Sequence, residues 1–326
     1  MNSHLEQIQT LTQQLSQQII GQQKLVESLM IALLADGHLL VEGAPGLAKT
    51  RAIKCLSSLI EGSFHRVQFT PDLLPGDITG TEIYRPQDGT FEFQKGPIFH
   101  SLVLADEINR APAKAQSALL EAMGERQVSV GKTTYPLPQL FLVMATQNPI
   151  EQEGTYPLPE AQLDRFLLHV EIGYPDREAE HQILKLARYE ASQQGQPKVN
   201  AGEDTHIISQ DTIFEARQQL LTIHMAEPVE EYIVQLIMAT RHPQQYDAKL
   251  ASWLEYGASP RGTIALDSCA RAHAWLAGRD FVTPDDVQAV IHNVLRHRLI
   301  PSFEAEASGI SSNELIDQLL NVVPAI

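Results

Sequence analysis

The stretch Leu39-Leu-Val-Glu-Gly-Ala-Pro-Gly-Leu-Ala-Lys-Thr50 constrains this chain more than any other. The apolar run Leu39 to Val41 predicts a buried strand. Gly43, Pro45 and Gly46 predict a tight loop, and Lys49, Thr50 and Arg51 open a segment that continues as a helix. In that strand–loop–helix setting, backbone N–H groups and the helix N-terminus converge on phosphate oxygens. Lys49 then reaches the β- and γ-phosphates and the Thr50 hydroxyl holds Mg²⁺. Ala48 stands where the usual pattern places its last glycine. We expect Ala48 to enter the helix, where a methyl group is tolerated; a positive φ at this position would favour glycine and count against the cradle. The competing reading of this stretch alone is an ordinary Gly/Pro turn before a helix.

Leu102-Val-Leu-Ala-Asp-Glu107 is the second informative stretch. It reads as a buried strand with two carboxylates at its C-terminal end, where ligands bind in open α/β sheets. Asp106 suits a Mg²⁺ shell, and Glu107 suits polarising a water for attack on a γ-phosphate. Two acids opening a helix, favoured there by its dipole, are the alternative, but that reading leaves the upstream loop unexplained. Phe141-Leu-Val-Met-Ala145 is a third strand, followed by Thr146-Gln-Asn-Pro149. Asn148 thus stands at a strand end like Asp106, able to orient a water, although Asn before Pro also reads as a turn. His65-Arg-Val-Gln-Phe69 and Leu167 to Ile172 complete the strand candidates.

At 326 residues the chain has room for two domains. A hydrophobic fraction of 43% and a charged fraction of 20% fit a soluble globular protein. The formal net charge of −16 opposes non-specific nucleic-acid binding, and no direct nucleic-acid partner is expected. Cys55 and Cys269, each in an apolar helical pattern, read as buried thiols suited to a reducing cytoplasm. The Gln-rich stretch Met1 to Gln18 lacks a signal-peptide core, and Leu29 to Ala35 is too short to span a bilayer, so a cytoplasmic location is expected.

Leu5, Ile8, Leu11 and Leu15 have helical spacing, and Lys24 to Ala35 forms the next helix after Ile19-Ile-Gly-Gln22. Ile20 and Gly21 read either as a helix junction or as a segment packing on a base. Glu82 to Tyr84 and Thr90 to Gln94 flank Asp88-Gly89, a hairpin signal; the insertion is either a working loop or a decorative one. Ala113 to Met123 predicts a helix that Gly124 helps end, and Gln127 to Tyr135 a second hairpin turning at Gly131-Lys132. Arg165, beside Asp164, reads as a surface ion pair unless a neighbouring subunit's nucleotide comes within reach. Tyr174-Pro175 closes the first domain. Asp176 to Arg188 is helical, and the polar stretch from Gln193 to Thr205 reads as a linker. Beyond it the pattern is helical throughout. Thr283-Pro-Asp-Asp286 has capping-box spacing, and Ser259-Pro260 starts a helix the same way. Arg261 then sits in a first helical turn, where the dipole disfavours a cation; it either faces an anion or is simply solvated.

These motifs resemble an AAA+ ATPase, and more closely the MoxR family. The resemblance spans nearly the whole chain. It is strongest at Gly43 to Thr50, Gln68 to Asp77, Asp106 to Pro112, Ala145 to Pro149, Glu160 to Phe166 and Ser259 to Gly262. MoxR proteins carry Ala at the position of Ala48. The resemblance implies a three-layer α/β/α P-loop domain with a parallel central sheet over residues 1–175. A connection over 176–208 and an all-α helical lid over 209–326 follow. It implies ATP or ADP with Mg²⁺ as cofactors, held by Gly43, Ala44, Pro45, Gly46, Leu47, Ala48, Lys49, Thr50 and Arg51. Thr50 and Asp106 match the metal-shell positions, and Ile20 and Gly21 the segment near adenine. Glu107 matches the catalytic carboxylate, Asn148 sensor 1, Arg261 sensor 2 on the lid, and Arg165 the arginine finger acting on an adjacent subunit. Residues 69–95 match the helix 2 insert and 127–135 the hairpin before sensor 1, both facing the pore of a ring. The ring is expected to be a homo-hexamer. Its role is expected to be chaperone-like, on a von Willebrand factor A domain protein or another protein client.

A chelatase-like AAA+ motor subunit shares the inserts and is the nearest rival reading. A P-loop phosphotransferase would not need Asp106, Glu107 and Asn148 together. A ring that binds nucleotide without turnover sits poorly with an intact Glu107 and Arg165.

Overall fold

The computed structural model describes residues 3–87, 89–149, 154–193 and 207–325. Helices α1 (Ser3–Gln18) and α2 (Gln23–Leu34) lead into strand β1 (Leu39–Glu42). Helix α3 (Lys49–Leu59) and strand β2 (Phe64–Gln68) follow. A short helix α4 (Pro75–Thr79) precedes a hairpin, β3 (Gly80–Arg85) and β4 (Thr90–Lys95). Strand β5 (Leu102–Asp106), helix α5 (Ala113–Glu125) and a second hairpin, β6 (Gln127–Val130) with β7 (Thr133–Pro136), come next. Strand β8 (Leu142–Gln147), helix α6 (Glu160–Leu163), strand β9 (Leu168–Glu171) and helix α7 (Arg177–Gln193) complete this part. The rest comprises α8 (Gln210–Thr222), α9 (Glu227–Arg241), α10 (Ala248–Trp253), β10 (Leu254–Tyr256), α11 (Pro260–Leu276), α12 (Pro284–Leu295), β11 (Ile300–Pro301), α13 (Phe303–Ala307) and α14 (Ser312–Val322).

The central sheet has the order β2-β5-β8-β1-β9 with all pairings parallel. The inner strands β1, β5 and β8, with β9, are largely buried on both faces and read as apolar runs, whereas edge strand β2 buries only Val67. Period-2 alternation divides them: Leu39 and Val41 join one core and Leu40 the other. The larger core is continuous from the sheet through α1 to α3 into the lid helices. The smaller lies under α5 and is joined by Ile78 of α4 and by Val128 and Val130 of the second hairpin. The parallel arrangement aligns the C-terminal ends of β1, β5 and β8, bringing Gly43, Asp106 and Asn148 to one edge.

Several local expectations need correction. Helix α5 does not end at Gly124; it runs to Glu125, and Arg126, at φ +56°, caps it. Gly124 is small for another reason, because a Cβ there would lie 2.7 Å from Arg165 Nη1. Cys55 is only half-buried, whereas Cys269 is buried and its thiol is pushed up to about 12 by desolvation. The lid is helical but contains an antiparallel ribbon, β10 with β11, which short apolar runs did not signal. Of the predicted linker, Gln193 to Thr205, only Gln193 is described, as the last residue of α7; the remainder and Asp88 of the first hairpin turn lie outside the described residues. The two hairpins touch through stacked rings, Phe93 on Tyr135, with centroids 4.2 Å apart. Among the described residues no helix is long and apolar enough to cross a membrane.

Candidate active site

Strand β1 ends at Glu42, and the chain turns sharply at Gly43, where a Cβ would lie 2.5 Å from Ile172 Cγ1. Gly46 takes φ +84°. Ala48 does not enter the helix. It precedes α3 in the left-handed region, φ +60° and ψ 16°, at a cost of roughly 1–2 kcal/mol for a residue with a Cβ. Lys49 is the first helical residue. Its Nζ donates to Gly43 O at 2.6 Å and to Gln147 O at 3.1 Å. Half-burial lowers the Lys49 pKa, against the pull of Asp106, Glu107 and Glu42. A cavity of about 350 Å³ opens here, lined by Pro45, Gly46, Leu47, Ala48, Lys49, Thr50, Arg51, Asp106, Glu107 and Asn148.

The acidic wall is hydrogen-bonded throughout. Thr146 Oγ1 donates to Asp106 Oδ1 at 2.6 Å and accepts from Glu107 N–H at 2.9 Å. Arg66 donates to Asp106 Oδ2 through Nε at 3.0 Å and Nη2 at 2.7 Å. Arg66 Nη2 also donates to Gln68 Oε1 at 2.9 Å, and Gln68 Nε2 donates to Glu107 Oε2 at 2.9 Å. Arg110 Nη1 reaches the same Glu107 oxygen at 3.2 Å. Glu107 itself has φ +56°. Two of the four described non-glycine residues with positive φ, Ala48 and Glu107, therefore line this one cavity. Strained backbone of that kind concentrates at ligand clamps and catalytic groups.

A second cavity, of about 420 Å³, adjoins the first. Ile20, Gln22 and the loop from Pro45 to Ala48 line one side; Tyr174, Ile183, Leu186 and Ala187 line the other. Its apolar walls and polar margin suit a planar base with an attached sugar. Gly21 is not in the lining. It takes φ +77° and packs behind, where a Cβ would lie 2.8 Å from Ala179 Cβ. Arg51 holds the rim, donating to Gln18 O at 3.0 Å and pairing with Glu190 of α7 at 2.5 Å.

Arg165 and Arg261 line neither cavity. Arg165 Nη1 donates to Leu120 O at 2.6 Å, against Gly124. Arg261, its side chain 58% exposed, lies 3.8 Å from Asp164 Oδ2. The partner of Asp164 is not Arg165 but Arg298, at 2.8 Å, with Ser259 Oγ donating to the other carboxylate oxygen. Arg298 is buried and also donates to the carbonyls of Phe166, Leu167 and Val294. Arg261 thus stands outside the two cavities of its own subunit. The Ser259–Arg261 turn is tied instead to the segment carrying Arg165.

Comparison with known proteins bears on this arrangement. The profile of the ATPase family associated with various cellular activities (AAA) matches residues 38–168, and that of the AAA lid domain residues 250–319. Chaperone MoxR1 of Mycobacterium tuberculosis is 45% identical over 306 residues, covering 94% of this chain and 78% of its own length. The chain belongs to the MoxR family of AAA+ ATPases. The uncharacterized protein YeaC of Bacillus subtilis is 42% identical, with 94% of this chain and 90% of the relative covered. A crystal structure of a Cytophaga hutchinsonii protein superposes with a TM-score of 0.87 at 43% identity, covering 99% of this chain and 96% of that one.

For this MoxR-family chain, reasoning from motifs missed Arg66, Gln68, Thr146 and Arg110 around the carboxylates. It also missed Glu190 and the Asp164–Arg298 pair. Arg66 and Gln68 do carry a signal, since alternate residues of one strand share a face. Glu190 and Arg298 are 139 and 134 residues from their partners and carry none.

Proposed function

We propose that this chain hydrolyses ATP to ADP and phosphate in a hexameric ring of identical subunits, and uses the cycle to remodel partner proteins. The observation that carries the reading is the meeting of loop, Lys49, Thr50, Asp106, Glu107 and Asn148 around one cavity. The donor set fits a nucleotide–Mg²⁺ complex: loop N–H groups and an ammonium for phosphate oxygens, and a hydroxyl with a carboxylate for a hard cation. Thr50 and Asp106 would hold Mg²⁺, which supplies positive charge to the phosphate oxygens. Lys49 exchanges its two carbonyl contacts for phosphate. Glu107 accepts a proton from the attacking water, and Asn148 orients that water. The base lies in the adjoining cavity against Ile20.

Arg165 and Arg261, away from their own cavity, are offered to the nucleotide of the next subunit. An arginine supplied this way contributes roughly 10³–10⁵ in rate. The relative named a chaperone supports a protein client, with a von Willebrand factor A domain protein the first to try. The joined hairpins, exposing Tyr84 and Phe91, are the surface proposed to engage it.

The test is ATPase rate per subunit against protein concentration, with mass measured at each point. A rate that rises as the ring assembles is expected. A monomer with a concentration-independent rate would leave an ATPase and discard the shared site.

A further inference from the structure

Arg66 is a cation placed on the carboxylate that a metal would need. It lies on β2, the edge strand, two residues before Gln68, so both side chains leave the strand on the face shared with Asp106. Its guanidinium gives two N–H groups to one Asp106 oxygen while Thr146 occupies the other, so both carboxylate oxygens are engaged. The same guanidinium sets the orientation of Gln68. Arginine has donors only, so the Gln68 amide turns its oxygen to Arg66 and is left with its NH₂ for Glu107. Asp106, Arg66, Gln68 and Glu107 thus form one continuous chain of hydrogen bonds from the metal side of the cavity to its water side. Arg66 is half exposed, whereas Asp106 is nearly buried.

We propose that Arg66 is a positioning residue that neutralises Asp106 in the nucleotide-free chain and, through Gln68, holds Glu107 aside. When Asp106 turns to a metal shell, Arg66 loses its partner. The Gln68 amide then loses the contact that orients it, and Glu107 is held by Arg110 alone of the two. The coupling makes release of the base follow arrival of the cation. The inference rests on the nucleotide reading above and adds how its two carboxylates act in order. Lys49, the other cation near Asp106 and Glu107, is already committed to Gly43 O and Gln147 O in this state.

The test uses the full chain with bound ADP and follows Mn²⁺ by the paramagnetic resonance signal of the free ion. Arg66→Gln removes the competing charge, and Mn²⁺ is expected to bind roughly 3- to 5-fold more tightly than in the unsubstituted chain, the upper end of the scale for a half-exposed ion pair. Gln68→Leu cuts the chain beyond Arg66 and is expected to leave Mn²⁺ affinity within about twofold. It should also lower the Mg²⁺ concentration at which turnover becomes half-maximal relative to that at which Mg²⁺ binds. Equal or weaker Mn²⁺ binding in Arg66→Gln would overturn the proposal, as would equal weakening in both variants, which is what a merely structural role gives. Should Arg66→Gln not fold, Arg66→Met, which also removes the charge, is read in the same way. ADP binding with unchanged Mn²⁺ affinity sinks only the role of Arg66. No ADP binding by the unsubstituted chain sinks the nucleotide reading with it.

Discussion

On the P-loop side Lys49 is half-buried and fastened to two carbonyls, whereas on the Asp164 side Arg261 is largely exposed, 3.8 Å from a carboxylate. The difference recurs around them. The acids at the first site are bonded to Arg66, Gln68, Thr146 and Arg110 within one subunit. At the second, the fold spends Arg298 on holding Asp164 and three carbonyls, and leaves Arg165 and Arg261 at the edge of that hub. A cation that a fold fixes internally needs a substrate only to displace its carbonyls. A cation left at an edge needs another surface to give it a phosphate. The contrast is the one that the proposed division of the site between subunits requires of each subunit.

The sharpest way to break that contrast is Arg165→Ala. Turnover is expected to fall about 10³-fold or more, with ADP affinity kept. Mixing these subunits with Glu107→Gln subunits should restore part of the rate, since each supplies what the other lacks. Mixed assemblies without rescue would return Arg165 to its own subunit.

Next in size is Arg298→Ala, which leaves Asp164 without its buried cation and should cost about 3–5 kcal/mol in urea unfolding. A cost near zero would make Arg298 no more structural than Arg261. On the P-loop side, Ala48→Gly relieves the left-handed penalty but loosens the unfolded chain, for a net change within about 1 kcal/mol. ADP affinity, by calorimetry, is expected to hold; loss of binding would mean that the methyl group itself shapes the cradle.

A further effect lies away from both sides. Hydrogen bonds to Asp286 and Glu27 raise His273 to about 9. A raised pKa stabilises most below the ordinary value, near 6.5, and the gain is lost as pH passes about 9. The melting temperature should therefore decline between pH 6.5 and 9.5, and His273→Gln should flatten that decline.

Much of this was legible from local pattern. Four of the five sheet strands are largely buried and announced themselves as apolar runs, and the groups at their C-terminal ends could be assigned to one edge; edge strand β2, with His65, Arg66 and Gln68 exposed, carries no such run. The Thr283–Asp286 capping box formed as its spacing indicates. Other features were not legible locally. Gly124 looked like a helix stop, yet it is small because Arg165, distant in sequence, lies against it. Ala48 looked helical because residue type alone does not report φ.

By itself the sequence determined the chemistry available: a phosphate-cradling loop, paired carboxylates, a polar strand end and a family. It did so because loops, strand ends and caps are specified by residues within a few positions of one another. Only the tertiary structure decided which groups hold which. The Arg66 grip on Asp106, the Gln68 grip on Glu107 and the tie between Asp164 and Arg298 all join separate elements. Their partners are selected by how strands register and helices pack, and hydrogen-bond geometry at about 3 Å is settled only after that packing is complete.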